Sequence, residues 1–108
     1  MITLTSPAAE QIRLSAQQGR MEGLPLRVAA VHNEDGSLHY GMGFDDVERH
    51  GDMHFTSQGI DVVISPMSMD LLRGTVIDYV ELEPGQFQFI FMNPNDPGYR
   101  PPQEDAPP

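Results

Sequence analysis

The chain has 108 residues, the usual size of one domain, so two independently folding domains are not expected. It carries 16 acidic residues against 6 basic ones, a formal net charge of -10. Duplex nucleic acid is bound through clustered basic side chains, and an anionic lipid surface repels an acidic protein, so both kinds of partner are disfavoured. No run of about 20 apolar residues and no signal-type N-terminus is present, which predicts a cytoplasmic protein without a membrane segment.

The first predicted element is a helix over about residues 7–18. Ser6 and Pro7 suit a helix start, because Ser can cap open N–H groups and Pro at the first position gives up only an unused donor. Apolar residues then recur on one helical face, at Ala9, Ile12 and Ala16. Gly19 is predicted to end the helix in the left-handed conformation.

Two β-hairpins are predicted next. Apolar residues alternate over 24–30 and again over 38–44, around a turn at 33–36. Residues 53–56 and 60–64 flank a second turn, and the apolar run at 62–64 predicts a strand covered on both faces. In the first hairpin Gly41 and Gly43 share one face of their strand, which predicts close packing of another segment against them.

A short helix and a third hairpin complete the predicted elements. Ser65 and Pro66 repeat the helix-start signal, with Met67, Met69 and Leu71 expected to pack inward. Strands follow at 75–82 and 87–91, and an alternating stripe is expected to form the thickest part of the core, at Phe87, Phe89 and Phe91. The elements add up to an α+β fold with six to seven strands in mixed and antiparallel sheets, one N-terminal helix and one short helix.

The composition changes near residue 96. Five of the ten prolines lie between positions 97 and 108, with little apolar surface beside them. Such a segment cannot bury enough surface to offset its ordering entropy. We therefore predict a domain over residues 1–95 followed by a disordered, acidic, Pro-rich tail over residues 96–108.

Residues that could carry chemistry are few. The chain has no cysteine, which removes disulfides, thiolate metal sites and thiol nucleophiles together. The four histidines show no metal-site spacing, and no nucleophile motif of the Gly-x-Ser-x-Gly type occurs, so an enzyme is not expected. The acidic pairs Glu34-Asp35 and Asp45-Asp46 lack the spacing of a calcium loop and are best explained as solvated turn carboxylates.

Several strings, in order along residues 1 to about 95, resemble the A-type iron-sulfur carrier proteins of the HesB and IscA group. The strings are Met1-Ile2-Thr3-Leu4-Thr5, Leu24-Pro25-Leu26-Arg27-Val28, Tyr40-Gly41-Met42-Gly43-Phe44-Asp45-Asp46, Gly59-Ile60-Asp61-Val62-Val63-Ile64 and Ile77-Asp78-Tyr79-Val80-Glu81. The resemblance implies a compact, β-rich HesB-like domain. It also implies a site at which members of the family bind iron or a cluster through one Cys in a turn and a Cys-Gly-Cys pair near the C-terminus.

This chain departs from the family at those three positions. Alignment on the neighbouring strings places Asp35, Arg100 and Pro102 where the cysteines would be. Clusters are held mainly by thiolates, so the resemblance implies that the carrier chemistry is lost and that no cofactor is bound. A closer resemblance, to a cysteine-free branch of the family, implies an accessory or regulatory protein-binding module of dissimilatory sulfur oxidation, a monomer that contacts proteins of the sulfur-oxidation or iron-sulfur machinery. The candidate partner surface comprises Glu34, Asp35, His39, Tyr99 and Arg100.

An alternative stays open at this point. Oxygen and imidazole ligands can hold mononuclear iron, though weakly on an acidic surface. The residues that could do so are His32, Asp35 and His39, together with carboxylates of the tail.

Overall fold

The computed structural model of the chain describes residues 2–47 and 49–97. The elements follow in the order β1 (Thr3–Leu4), α1 (Ser6–Gln18), β2 (Leu26–His32), β3 (Leu38–Phe44), β4 (Met53–Ser57), β5 (Ile60–Ile64), α2 (Pro66–Leu72), β6 (Val76–Glu83) and β7 (Gln86–Met92). The strands form a three-stranded sheet, β1-β6-β7, and a four-stranded sheet, β3-β2-β5-β4. The predicted α+β fold is confirmed. Within the described ranges no helix is long and apolar enough to cross a bilayer.

The predicted buried face of α1 is confirmed, but its caps lie elsewhere. Thr5 caps the helix in place of Ser6, since its Oγ1 accepts from the N–H of Ala8 at 3.2 Å. Gly19 is not left-handed: its N–H still bonds to a carbonyl of the last turn, and its φ is -91°. The reversal falls instead on Arg20, at φ 57°, after which the N–H of Met21 returns to the helix at 2.7 Å.

The core is formed by side chains of α1, α2 and the strands β1, β2, β5 and β6. Its fully buried side chains include Leu4, Val28, Val62, Ile64, Met69, Leu72 and Ile77. The expectation that the Phe stripe forms the thickest part of the core is wrong. Phe89 and Phe91 are half-buried and Phe87 is 53% exposed, on a strand that forms the edge of its sheet.

Two further packing predictions are corrected. A Cβ added to Gly41 or Gly43 would meet no atom of the described residues within 4 Å, so no described segment packs against these glycines. They lie on the outward face of the sheet, opposite Ala29 and Arg27, and leave a shallow depression. Met67 is 83% exposed, whereas Met69 is buried. Two residues apart on a helix differ by about 200°, so both side chains cannot face one core.

An ion cluster fixes the 45–52 loop to β2. The guanidinium of Arg27 donates from Nε to Asp45 at 2.7 Å and from Nη2 to Asp52 at 2.7 Å. The carboxylate of Asp52, 1% exposed, also accepts from the backbone N–H of Arg49 at 2.9 Å. The Arg27 hydrogen bonds, followed by that N–H, lower the pKa of Asp52 to about 2. Asp45 is therefore a paired group and not the solvated carboxylate expected from the sequence.

We predict that Asp52→Asn reduces the acid sensitivity of the fold. Because the folded-state pKa of Asp52 is about 2, below the ordinary value near 4, its stabilising contribution is present above about pH 4 and is lost as the pH falls towards 2. Wild type should lose more thermal stability than the variant between pH 4 and pH 2, measured by circular dichroism. Asp46→Asn, which changes an exposed acid of the same loop, is the control. Equal pH slopes for wild type and Asp52→Asn would contradict the prediction.

Candidate functional site

Asp35 closes the turn between β2 and β3. Its Oδ1 accepts from the backbone N–H of Ser37 at 3.0 Å and from the Ser37 hydroxyl at 2.6 Å. These two bonds lower the pKa of Asp35, the hydroxyl contributing most. Gly36 completes the turn at φ 89°, with its N–H donating to the carbonyl of Asn33 at 3.1 Å. Asp35, which the sequence resemblance places where the family's first cysteine would be, thus stabilises its own loop.

The other candidate binding residues lie near this turn, but their side chains do not converge on one point. Glu34, Asp35, His32 and His39 are all exposed. His39 lies opposite Val31 in the β2–β3 register, within the strands and not in the turn. Among residues 2–47 and 49–97, no group of three or more His, Asp or Glu side chains could hold a metal ion. The structure therefore does not assemble His32, Asp35 and His39 into a ligand set.

A buried asparagine, missed by the sequence analysis, joins the two sheets beside this hairpin. Asn93 is 0% exposed, and its Nδ2 donates to the carbonyl of Leu71 at 2.8 Å and to the hydroxyl of Tyr40 at 3.2 Å. The Tyr40 ring stacks on Phe91 with centroids 4.5 Å apart. The Tyr40 hydroxyl donates to Asp96 at 2.7 Å. Burial, followed by this bond to a carboxylate, raises the pKa of Tyr40 to about 12.

The same junction fixes where the last described residues lie. Asn95 donates from Nδ2 to the carbonyl of Arg73 at 2.8 Å, and its N–H bonds to Oδ1 of Asn93 at 2.9 Å. Asp96, assigned to the tail from the sequence, is bonded to β3 through Tyr40. The end of the described chain is therefore held against β3 and the end of α2. The remaining candidates, Tyr99, Arg100 and Pro102, and the predicted disorder of the tail lie outside the described residues.

A larger cavity, of about 710 Å³, lies at the start of β2 and along β4 and β5. It shares no residue with the described members of the candidate partner surface, Glu34, Asp35 and His39. Its wall includes Asp45, which is already engaged by Arg27. Glu34, Asp35 and His39 therefore lie on an exposed hairpin and outside this cavity.

We predict that Asn93→Ala costs about 1–3 kcal/mol in the free energy of unfolding, because the carbonyl of Leu71 loses its shorter hydrogen bond and the N–H of Asn95 loses its acceptor. Urea titration followed by circular dichroism measures the change. Tyr40→Phe is the matched variant: it keeps the ring stack on Phe91 and removes only the hydroxyl, so its loss should be smaller. A loss for Asn93→Ala within about 0.5 kcal/mol, the usual range of a surface substitution, would contradict this role.

Comparison with known proteins finds similar chains, among them an iron-sulfur cluster insertion protein. The chain is 38% identical over 95 residues to a protein of Aquifex aeolicus, covering 88% of this chain and 81% of that protein. It is 35% identical over 94 residues to the iron-sulfur cluster insertion protein ErpA of Yersinia pestis, covering 87% of this chain and 82% of ErpA.

Solved structures give the same result. The crystal structure of IscA with the [2Fe-2S] cluster matches with a TM-score of 0.73 at 28% identity, over 87% of this chain and 86% of that one. The solution structure of an Aquifex aeolicus protein matches with a TM-score of 0.66 at 36% identity, over 86% of this chain and 91% of that one. Residues 1–96 match the family model described as iron-sulphur cluster biosynthesis. The chain therefore belongs to the iron-sulphur cluster biosynthesis family and has its A-type carrier fold.

Proposed function

We propose that this chain is a member of the family that binds protein partners and does not ligate an iron-sulfur cluster. The observation that carries the proposal is a complete family fold in a chain of 108 residues without a cysteine. Thiolates are the main ligands of such clusters. Of the residues aligned with the family's cysteines, Arg100 and Pro102 offer no iron-ligating side-chain atom, and Asp35 is bonded to Ser37. A cluster therefore does not fit the donor set.

The exposed hairpin and the charge of the chain support a binding role. Glu34, Asp35 and His39 are exposed around one turn, in a chain of net charge -10. An acidic surface favours encounter with basic or neutral protein surfaces and disfavours nucleic acid. The fixed geometry of the turn holds the Asp35 carboxylate in one place, which limits the ordering cost of binding there.

We further propose the pathway. The chain resembles DsrR, a cysteine-free A-type protein associated with the reverse dissimilatory sulfite reductase system of sulfur-oxidising bacteria. On this proposal it acts in the cytoplasm as an accessory or regulatory protein without catalysis of its own. Its partners then belong to the sulfur-oxidation or the iron-sulfur machinery.

We predict that the charge of Asp35 contributes to partner binding separately from the turn. Asn in this position can still accept from Ser37, so Asp35→Asn removes the charge and keeps the loop, whereas Asp35→Ala removes both. Asp35→Asn should weaken binding about three- to fivefold, as expected for an exposed ion pair worth under about 1 kcal/mol. The partner is first recovered from a sulfur-oxidising host, and its affinity for each variant is then measured by calorimetry.

A charge-matched acidic protein of unrelated fold serves as the capture control. Recovery of one defined protein by the wild-type chain alone supports the proposal. Recovery of nothing beyond the control overturns it. Equal affinity of wild type and Asp35→Asn would remove Asp35 from the binding surface.

A further inference from the structure

The strand β7 forms one edge of the three-stranded sheet. Its seven residues, Gln86–Met92, include no charged residue and no proline. Lysines, prolines and bulges are the usual features that keep an edge strand from pairing with another chain. The register shift of this hairpin lies on β6, between Glu81 and Glu83, and β7 itself is regular. The edge of β7 therefore has none of these protections.

Hydrogen bonds to β1 and the start of α1 fix the direction in which the residues of β6 point. The N–H of Thr3 donates to the carbonyl of Thr75 at 2.9 Å. The N–H of Thr5 donates to the carbonyl of Ile77 at 3.0 Å. The odd-numbered residues of this segment therefore bond away from β7. Because bonding direction alternates along a strand, the even-numbered residues of β6 bond to β7.

The same alternation leaves two residues of β7 with outward-pointing backbone groups. Gln88 and Ile90 lie opposite even-numbered residues of β6 and bond to that strand. The N–H and C=O groups of Phe87 and Phe89 consequently point away from the sheet. In the described part of the chain no strand pairs with this side of β7. Donors and acceptors for one further strand are therefore available there.

Three aromatic rings lie beside this edge, on the face of the sheet that carries the core. Tyr79 stacks on Phe87 with ring centroids 5.6 Å apart, and its ring lies 4.8 Å from that of Phe89. Phe87 is 53% exposed, and the other two residues are half-buried. Ile77, two residues before Tyr79 and thus on the same face, is fully buried. The rings therefore extend the apolar face of the core to the surface.

The surroundings of these rings are acidic. Glu81 is exposed and lies directly opposite Phe87 in the register. Its Oε2 accepts from the N–H of Gly85 at 2.7 Å, which holds the carboxylate at the turn of the hairpin. β6 carries three acids, and residues 74–99 include no basic residue. This charge matches a basic partner and disfavours a second copy of a chain whose net charge is -10.

We propose that the edge of β7 binds an extended, basic segment of a partner protein. The segment adds to the sheet as a further strand, and its backbone pairs with the outward groups of Phe87 and Phe89. One of its arginine or lysine side chains lies over the rings of Tyr79 and Phe87, where the ring faces attract a cation and the Glu81 carboxylate pairs with it. This surface is separate from the Asp35 turn, and the inference does not depend on that turn or on the loss of the cluster.

Amide exchange of the full-length chain, followed by NMR, tests the proposal with a capped peptide of alternating valine and arginine as the probe. Saturating peptide should slow the exchange of the Phe87 and Phe89 amides about tenfold, because they gain acceptors. The amides of Gln88 and Ile90, already bonded to β6, should respond less. Two control peptides should not bind: one with glutamate in place of arginine, and one with an N-methylated backbone.

Variants of the chain separate the charge from the ring. Glu81→Gln keeps an acceptor for the N–H of Gly85 and removes the charge, so the affinity for the peptide should fall about two- to fivefold. Phe87→Leu keeps an apolar side chain and removes the ring, with a similar loss. Asp46→Asn removes one charge from an exposed acid of another loop and should leave the affinity unchanged. Circular dichroism confirms that each variant is folded.

Failure of the arginine peptide to bind, equal binding of the glutamate peptide, or protection that omits Phe87 and Phe89 would each overturn the proposal. An equal loss of affinity in Asp46→Asn and Glu81→Gln would also overturn it, because binding would then follow net charge alone. Protection that appears without peptide as the protein concentration rises would assign the edge to a second copy and would count against a basic partner.

Discussion

The rest of the structure depends on how the two hydrogen-bonding sides of β2 are used. One side pairs with β3 along its whole length, which presents the Asp35 turn at the end of a regular hairpin. The other side pairs with β5 for two residues and is then continued by the hydroxyl of Ser68, which anchors α2. The Arg27 side chain, on the same strand, holds the 45–52 loop. One strand thus positions the hairpin, the second helix and the loop.

The sequence predicts those parts of the fold that follow from local pattern. The hairpins and α1 are confirmed within one or two residues, because alternating apolar residues, turn residues and helix-start signals act over short distances along the chain. The turn that carries Asp35 is placed correctly for the same reason. The resemblance to the family extends this local agreement to the whole fold, which the solved structures confirm.

The sequence-based predictions are wrong or incomplete where the environment of a residue depends on partners that are distant in the sequence. In the sequence Asp52 is one more acid of a polar loop. Its partner Arg27 lies 25 positions away and contacts it only in the folded chain. Asn93 has no sequence signal beyond its place between β7 and a proline, yet its bond to Tyr40 spans 53 positions. Phe87 is exposed on β7, the edge strand of its sheet. No local sequence pattern indicates that β7 takes this edge position. Of the three positions predicted to correspond to the family's cysteines, only Asp35 can be compared with the structure. Arg100 and Pro102 lie outside the described residues.

The proposed function requires that this family fold persists without the donors that hold a cluster. Anaerobic reconstitution with ferrous iron and sulfide tests it most directly, followed by desalting and assay of iron, acid-labile sulfide and visible absorption per chain. A cysteine-containing member of the family is treated in parallel. We expect the control to bind a cluster while this chain stays colourless and retains no iron above the blank. Stoichiometric iron on this chain would contradict it and would point to oxygen and imidazole ligands.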